Sequence, residues 1–142
     1  MGTPEHCREG AVLIAESLER LESHPSLHDG TLVVLIALER GGRPWATQDA
    51  GLVGRLVQRG VREFACVGAS ADDAEDALDS ALESSGLIGV CTTSHPNPLE
   101  LHDYIEAVRS VGHISRVAVV GTAGTDFGTG VLHCVQSALG CP

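Results

Sequence analysis

The segment Thr92-Thr93-Ser94-His95 places three hydroxyl groups next to an imidazole, which makes it the most reactive-looking part of the chain. A hydroxyl nucleophile needs a base within hydrogen-bond reach and a third group that orients the base. Adjacent residues of an extended strand point to opposite faces, so Ser94 and His95 would not meet. The alternative is that these side chains satisfy backbone groups ahead of a helix that begins at Asn97. The segment therefore predicts no complete catalytic constellation.

Two other segments carry side chains suited to binding. Arg43 and Trp45 lie in the loop Glu39–Gln48, where they can grip an anionic or planar ligand, anchor a protein interface, or belong to a solvated loop. Thr122 lies in Gly121–Gly128, which can hold a phosphate at a helix N-terminus or form a plain turn. The candidate ligand-binding or interface residues are Arg43, Trp45, Thr92, Thr93, His95 and Thr122.

The five cysteines and seven histidines show no metal-ligand spacing, so the sequence predicts no metal site. The Gly121–Gly128 loop lacks both G-x-G-x-x-G spacing and a lysine, and we expect no cofactor. Cys66 and Cys91 fall inside strand patterns, where a buried cysteine behaves as a small hydrophobic residue. A disulfide framework is not expected.

Strand and helix patterns alternate along the chain and must position these residues. The predicted strands are Thr31–Leu38, Glu63–Val67, Leu87–Thr92 and Ser115–Val120. Glu9–Ser23 is predicted as a first helix, Ser70 and Asp73 as a capping box, and Asn97-Pro98 as a helix start. The pattern predicts a single α/β domain over residues 1–142, a three-layer α/β/α sandwich with a mostly parallel sheet of four main strands, Rossmann-like or flavodoxin-like.

Ligands of open parallel sheets bind outside the carboxyl ends of the strands, where the strand order reverses. We predict the order 2-1-3-4 for the four strands, which puts the reversal between the first and the third. The loops that would meet there are Glu39–Gln48, Gly68–Ser70, Thr92–Asn97 and Gly121–Gly128.

The charge of the chain excludes several partners. The formal net charge is −10, and all nine cations are arginines. A nucleic-acid footprint needs a basic face, and an anionic membrane surface repels an acidic protein. Met1–Gly10 is too polar for a signal peptide, and the longest apolar run, Leu32–Leu38, is too short to span a bilayer. We expect a cytoplasmic protein that binds neither nucleic acid nor membrane.

Several segments in the middle of the chain form a recognisable pattern: Leu56–Gly68, the acidic helix Asp72–Ala81, Val90–His95 with Pro98-Leu99-Glu100 behind it, and more weakly Val117–Val120. In these segments the chain bears a resemblance to a family of small, uncharacterised bacterial α/β domains. The resemblance covers about Leu52–Leu139, although the family pattern would place tryptophan at Val67 and at Ser94. Because no activity is established for such domains, the resemblance implies the fold and no catalytic residue.

Two functions follow from these observations. The first is a non-catalytic acidic α/β module that acts by protein–protein contact in a bacterial multi-component system, with a homodimer as one arrangement. The second is a small-molecule-binding protein or enzyme whose site lies at the carboxyl edge of the sheet and uses Thr92, Thr93, His95 and Arg43. A pocket where these residues converge would favour the second function, and a filled or flat edge the first.

Overall fold

The computed structural model describes residues 11–27, 29–38, 51–112, 114–121 and 125–140. The strands are β1 (Val12–Ala15), β2 (Thr31–Ile36), β3 (Val61–Val67), β4 (Cys91–His95) and β5 (Arg116–Val120). The helices are α1 (Leu18–Glu22), α2 (Gly51–Gln58), α3 (Ala71–Ser84), α4 (Pro98–Ser110) and α5 (Asp126–Ala138). All the strands pair in parallel in one sheet, in the order β1-β5-β2-β3-β4.

The sheet is covered by helices on both faces, which confirms the predicted α/β/α sandwich. One apolar core lies between the sheet and α1, α2 and α3, and the other lies between the sheet and α4 and α5. Every residue of β2 is buried, as a strand covered on both faces requires. Leu35 at its centre has no exposed surface, as its position in the apolar run predicts.

The order of the strands differs from the prediction. Thr31–Ile36 pairs with β3 and with β5, so the reversal lies between β2 and β5. The run β4-β3-β2-β5 corresponds to the 3-2-1-4 arrangement of a Rossmann sheet, with β1 beside β5. Local sequence patterns identify strands but carry no information about which of two neighbours a returning strand selects.

The predicted first helix, Glu9–Ser23, is wrong over Ala11–Ser17 and correct over Leu18–Glu22. Ala11 precedes a short strand, and a shorter helix follows it. The apolar residues of this segment fit helical spacing, but Leu13 and Ala15 also fit the alternation of a strand that buries one face. Pairing of β1 with β5 stabilises the extended form, and Ser17 then caps α1 by accepting from the Arg20 N–H at 3.2 Å.

The third predicted strand, Leu87–Thr92, begins too early and ends too early. Ile88 is 94% exposed, and the strand runs from Cys91 to His95. The prediction places the strand too early because the residues before Cys91 are apolar. The residues that pair with β3 are mainly polar because β4 lies at the edge of the sheet. Cys66 is buried as predicted, but Cys91 is exposed because it opens this edge strand.

The predicted helix starts have different outcomes. Asn97 caps α4 by accepting from the Glu100 N–H at 2.9 Å, with Pro98 in the first turn. Ser70 stands at the start of α3 but makes no capping hydrogen bond with its side chain, so the capping box with Asp73 does not form. In the described part of the chain, no helix is both long enough and apolar enough to cross a membrane.

Candidate functional site

Strand β4 divides the predicted reactive segment between two layers. Thr92 and Ser94 contact α3, whereas Thr93 and His95 lie on the α4 side. Ser94 and His95 therefore face opposite ways, as the alternation of a strand predicts. The structure does not bring these two side chains together as nucleophile and base.

On the α3 side, the hydroxyls of β4 donate to carboxylates rather than to the backbone. Ser94 Oγ donates to Asp72 Oδ1 at 2.5 Å, and Thr92 Oγ1 donates to Asp79 Oδ1 at 2.5 Å. Thr92 Oγ1 also lies 3.3 Å from Glu75 Oε2. These bonds fix α3 against the strand, and they occupy the hydroxyls that a ligand would need.

On the α4 side, His95 is buried, with 5% of its surface exposed. Its Nε2 lies 2.9 Å from Thr93 Oγ1, and its ring lies 5.0 Å from the ring of Tyr104. Nδ1 is 3.4 Å from Glu100 Oε1, but the geometry does not make a hydrogen bond. Burial lowers the pKa of His95, and the nearby Glu100 only partly opposes this effect. His95 is therefore neutral at physiological pH.

Glu63 is a buried acid that the sequence analysis did not select. It is 8% exposed, its Oε1 accepts from the Tyr104 hydroxyl at 3.1 Å, and its Oε2 has no hydrogen-bond partner among the described residues. Cys91 Sγ lies 3.9 Å from the same hydroxyl. The sequence signal for Glu63 is an acidic residue next to Arg62 within the otherwise apolar segment Val61–Val67. Such a residue in a central strand needs a partner or a function.

Burial raises the pKa of both Tyr104 and Cys91, and the carboxylate of Glu63 adds to this effect. Burial, with Glu75 and Asp79, raises the pKa of Cys66 to about 12. These thiols and the phenol are protonated at neutral pH. None of them is an activated nucleophile, because nucleophilic attack by a cysteine requires the thiolate.

The six predicted site residues do not form one site among the described residues. Thr93 and His95 are in contact, and Thr92 lies on the other face of the same strand. Arg43, Trp45 and Thr122 lie outside the described residues. In the sequence they belong to the stretches that follow β2 and β5, the two strands at the reversal of the sheet.

The acidic residues of the chain are concentrated in one stretch. From Glu63 to Val108 there is no arginine or lysine, and ten of the nineteen acidic residues lie there. The nine other acidic residues are balanced by the nine arginines. The ten are Glu63, Asp72, Asp73, Glu75, Asp76, Asp79, Glu83, Glu100, Asp103 and Glu106. The stretch from Glu63 to Val108 thus carries a charge equal to the net charge of the protein, and Arg62 on β3 and Arg109 on α4 lie directly beside its two ends.

This stretch occupies one end of the sheet. We call the surface formed by α3, β4 and α4 the acidic edge. Its carboxylates are mostly exposed. Elsewhere, Arg55 pairs with Glu22 at 2.6 Å and Arg62 pairs with Asp29 at 2.9 Å. Among the described residues, these two ion pairs therefore lie away from the acidic edge.

One group on α4 has the donor types of a metal site. His102, Asp103 and Glu106 each have one ligand atom within 4.8 Å of the others. His102 Nδ1 lies 3.4 Å from Asp103 Oδ1 and 3.6 Å from Glu106 Oε1, as in the ion pairs of a surface histidine. Both carboxylates are exposed, and in the described part of the chain no buried ligand completes the set.

A shallow cleft lies at the opposite end of the sheet. It has a volume of about 300 Å³ and is formed where β1 ends and α1 begins. Its lining consists of Ile14, Ala15, Glu16, Arg20 and His24. The cleft lies at the carboxyl end of a strand, where ligands of parallel sheets bind, but none of the three described site residues, Thr92, Thr93 and His95, lines it.

Comparison of the chain with protein-family models, with curated proteins and with solved structures finds no match.

Proposed function

We propose that this chain is a non-catalytic α/β module that binds a basic partner protein through its acidic edge, as one component of a bacterial multi-component system. The observation that carries the proposal is the stretch from Glu63 to Val108, with ten acidic residues and no cation. A surface of one sign attracts a partner of the opposite sign over several ångströms, accelerates the encounter and orients the two molecules.

The side chains of β4 support a binding role rather than a catalytic one. The hydroxyls of Thr92 and Ser94 are held by carboxylates of α3, and Thr93 is held by His95. The raised pKa of Cys91 and of Tyr104 leaves no activated nucleophile beside them. The edge presents charge to the outside, while its reactive groups are engaged inside.

Acidic residues also serve solubility and protect sheet edges from aggregation. Charge that serves only solubility is normally mixed in sign and spread over the surface. Here the carboxylates are gathered at one end, and all the arginines lie outside the stretch from Glu63 to Val108. This distribution favours a partner that meets the acidic end.

The test compares two double variants that each remove two exposed carboxylates. Asp73→Asn with Asp76→Asn acts on the acidic edge, and Glu16→Gln with Asp126→Asn acts elsewhere. Asp73 and Asp126 both lie in the first turn of a helix, which matches their effects on helix stability. The probe is a fluorescein-labelled peptide of sequence Val-Lys-Arg-Val-Lys-Arg-Val, measured by fluorescence anisotropy at low and at physiological salt.

We expect the acidic-edge variant to bind the peptide about fivefold more weakly at low salt, and the control variant to change the affinity less than twofold. The difference should shrink as the Debye length falls with added salt. Equal weakening by both variants would show that only the total charge matters, and the proposed surface would then be wrong.

The cleft beside β1 supports a second function, the binding of a small molecule at the carboxyl edge of the sheet. Arg20 and His24 supply a cation and an imidazole, and Ile14 supplies an apolar surface. This combination suits a small carboxylate or phosphate. A rise in melting temperature with citrate or inorganic phosphate, lost in Arg20→Gln and kept in Arg109→Gln, would support it. No shift with either anion would contradict it.

A further inference from the structure

We infer that the basic partner binds as an extended segment along the outer side of β4 and adds a sixth strand to the sheet. This inference rests on the proposed function and specifies how the acidic edge is used. Addition of a strand to an exposed sheet edge is a common way for one protein to bind a segment of another.

Among the described residues, no strand pairs with the outer side of β4. β4 pairs with β3 on one side and is the last strand of the sheet on the other. The Gly68 N–H donates to the His95 carbonyl at 3.0 Å, so the backbone groups of His95 point toward β3. Because this direction alternates along a strand, the N–H groups of Thr92 and Ser94 point outward. Two donors therefore face a strand that would lie beside β4.

Both faces of an added strand would meet carboxylates. Asp72, Glu75 and Asp79 lie beside β4 on the α3 side. Glu63 and Glu100 lie on the α4 side, beside Cys91 and His95. Since successive side chains of an added strand point to alternate faces, a basic residue at any position would find an opposite charge. This arrangement selects a segment that is basic on both faces.

Glu63 supplies an observation that is independent of the exposed charge. Its side chain is more than nine-tenths buried, yet its Oε2 lacks a hydrogen-bond partner among the described residues. It is the register neighbour of Cys91, the exposed first residue of β4. A buried carboxylate oxygen without a donor costs free energy, which an arginine or lysine of the partner would recover. We assign Glu63 as the anchor for one cation of the added strand.

A second copy of this chain is a poor occupant of the same edge. Pairing of two β4 strands would bring two acidic edges together, and like charges that face each other across strands are destabilising. The chain has no lysine, and its arginines all lie outside Glu63–Val108. The occupant is therefore a basic, extended segment of a different protein.

The experiment uses proline to block the outward N–H of one residue without changing the charge. Ser94→Pro removes a donor that faces away from β3, a position at which edge strands tolerate proline. Ser94→Ala is the matched control, because it removes the same hydroxyl and its bond to Asp72 but keeps the N–H. The probe is the labelled Val-Lys-Arg-Val-Lys-Arg-Val peptide, and a second version carries N-methyl groups on alternate residues. Circular dichroism confirms that each variant is folded.

We expect Ser94→Pro to weaken binding of the peptide at least tenfold, and Ser94→Ala to weaken it less than twofold. N-methylation of the peptide should weaken its binding to the unchanged protein at least tenfold. Glu63→Gln, which keeps an acceptor for Tyr104, should weaken binding about fivefold, and equal binding would overturn the assignment of the anchor.

The failure of this inference differs from the failure of the proposed function. If N-methylation and Ser94→Pro leave the affinity unchanged while the Asp73 and Asp76 substitutions lower it, the partner docks by charge alone and strand addition is wrong. If those aspartate substitutions also have no effect beyond their control, the acidic edge is not the binding surface.

Should Ser94→Pro fail to fold, the N-methylated peptide decides the question with the unchanged protein. Migration of the free protein as a dimer that Ser94→Pro makes monomeric would identify a second copy as the occupant and overturn the inference.

Discussion

The two edge strands of the sheet differ in almost every physical respect. β1 has the sequence Val-Leu-Ile-Ala, and Ile14 on it is 51% exposed. β4 has the sequence Cys-Thr-Thr-Ser-His, and carboxylates of both layers surround it. Exposed sheet edges invite pairing with other chains, and proteins protect them with charge or with short strands. β1 is a short strand of four residues. β4 is surrounded by far more charge than protection of an edge requires.

The difference between the two edges indicates which part of the molecule stabilises the fold and which part binds a partner. The inner strands β2, β3 and β5 are mostly apolar and buried, and they contribute to both cores. The acidic edge contributes fewer buried side chains and concentrates like charges, which repel one another in the folded state. We therefore expect substitutions in the centre to affect folding, and substitutions at the acidic edge to affect binding.

The largest effect should come from the centre of the sheet. Leu35→Ala removes a fully buried side chain from β2, and the lost contacts and the cavity should cost about 2–5 kcal/mol of unfolding free energy. Urea denaturation measures this. Leu99→Ala, at a position that is 70% exposed on α4, is the matched control and should change stability by less than about 0.5 kcal/mol. Similar losses of unfolding free energy in the two variants would show that the centre of the sheet and the acidic edge do not differ in their contribution to stability.

The contrast also explains which parts of the fold could be predicted from the sequence. β2 is a continuous apolar run, and its burial follows from that run alone. Asn97 and Pro98 start α4 through local chemistry, and this start is visible in the sequence. By contrast, β4 owes its strand conformation to pairing with β3, and β1 owes its own to pairing with β5. Contacts between distant segments leave little local signal, so both strands were misplaced.

The candidate site was predictable only in part, for the same reason. Thr93 and His95 were selected as reactive types, and they are in contact. The role of Glu63 depends on Tyr104, which lies far from it in the sequence and reaches it only after α4 packs on the sheet. The concentration of acidic residues in Glu63–Val108 is visible in the sequence. That these residues form one surface follows only from the strand order, which places the stretch at one end of the sheet.

A second, smaller effect concerns His95. The side chain is buried and packs on Tyr104, so His95→Ala should cost about 1–2 kcal/mol of unfolding free energy at pH 7.5. Urea denaturation measures the loss, and His102→Ala, at a more exposed position on the same side of the sheet, is the control. An unchanged stability together with weaker peptide binding would instead place His95 among the groups that contact the partner.

The pH dependence of stability tests the same residue in a different way. Because burial lowers the pKa of His95 below its ordinary value of 6.5, the unfolded chain binds a proton more readily than the folded protein. The stability that this residue contributes is therefore present above pH 6.5 and is lost as the pH falls through that value. We expect the unfolding free energy to decrease from pH 7.5 to 5.5, and to decrease less in His95→Ala. A steeper decrease in the variant would mean that Glu100 dominates and holds the imidazole protonated.

A smaller effect is expected at the end of α3, where the acidic edge should lower stability. Glu83 lies in the last turn, which contains no basic residue, and a negative charge there opposes the helix dipole. Glu83→Gln should therefore stabilise the protein by about 0.3–1 kcal/mol at low salt, and the gain should fade in 1 M NaCl as charges are screened. Thermal unfolding measures the gain, with Glu16→Gln as the control. A destabilising effect of Glu83→Gln would show that the carboxylate has a structural partner and does not lower stability.

The smallest effect should be the response to nucleic acid, which we expect to be absent. Binding to DNA requires arginine or lysine side chains free to contact phosphates. Among the described residues, Arg55 and Arg62 pair with carboxylates, while Arg59, Arg109 and Arg116 donate to backbone carbonyls. These contacts engage most of the described cations within the fold, and the acidic edge repels phosphate. Duplex and single-stranded DNA should therefore cause no mobility shift at near-physiological ionic strength. Micromolar binding that weakens as salt is added would mean that arginines gather on a basic face opposite the acidic edge. The conclusion that positive and negative charges balance at the other end of the sheet would then be wrong.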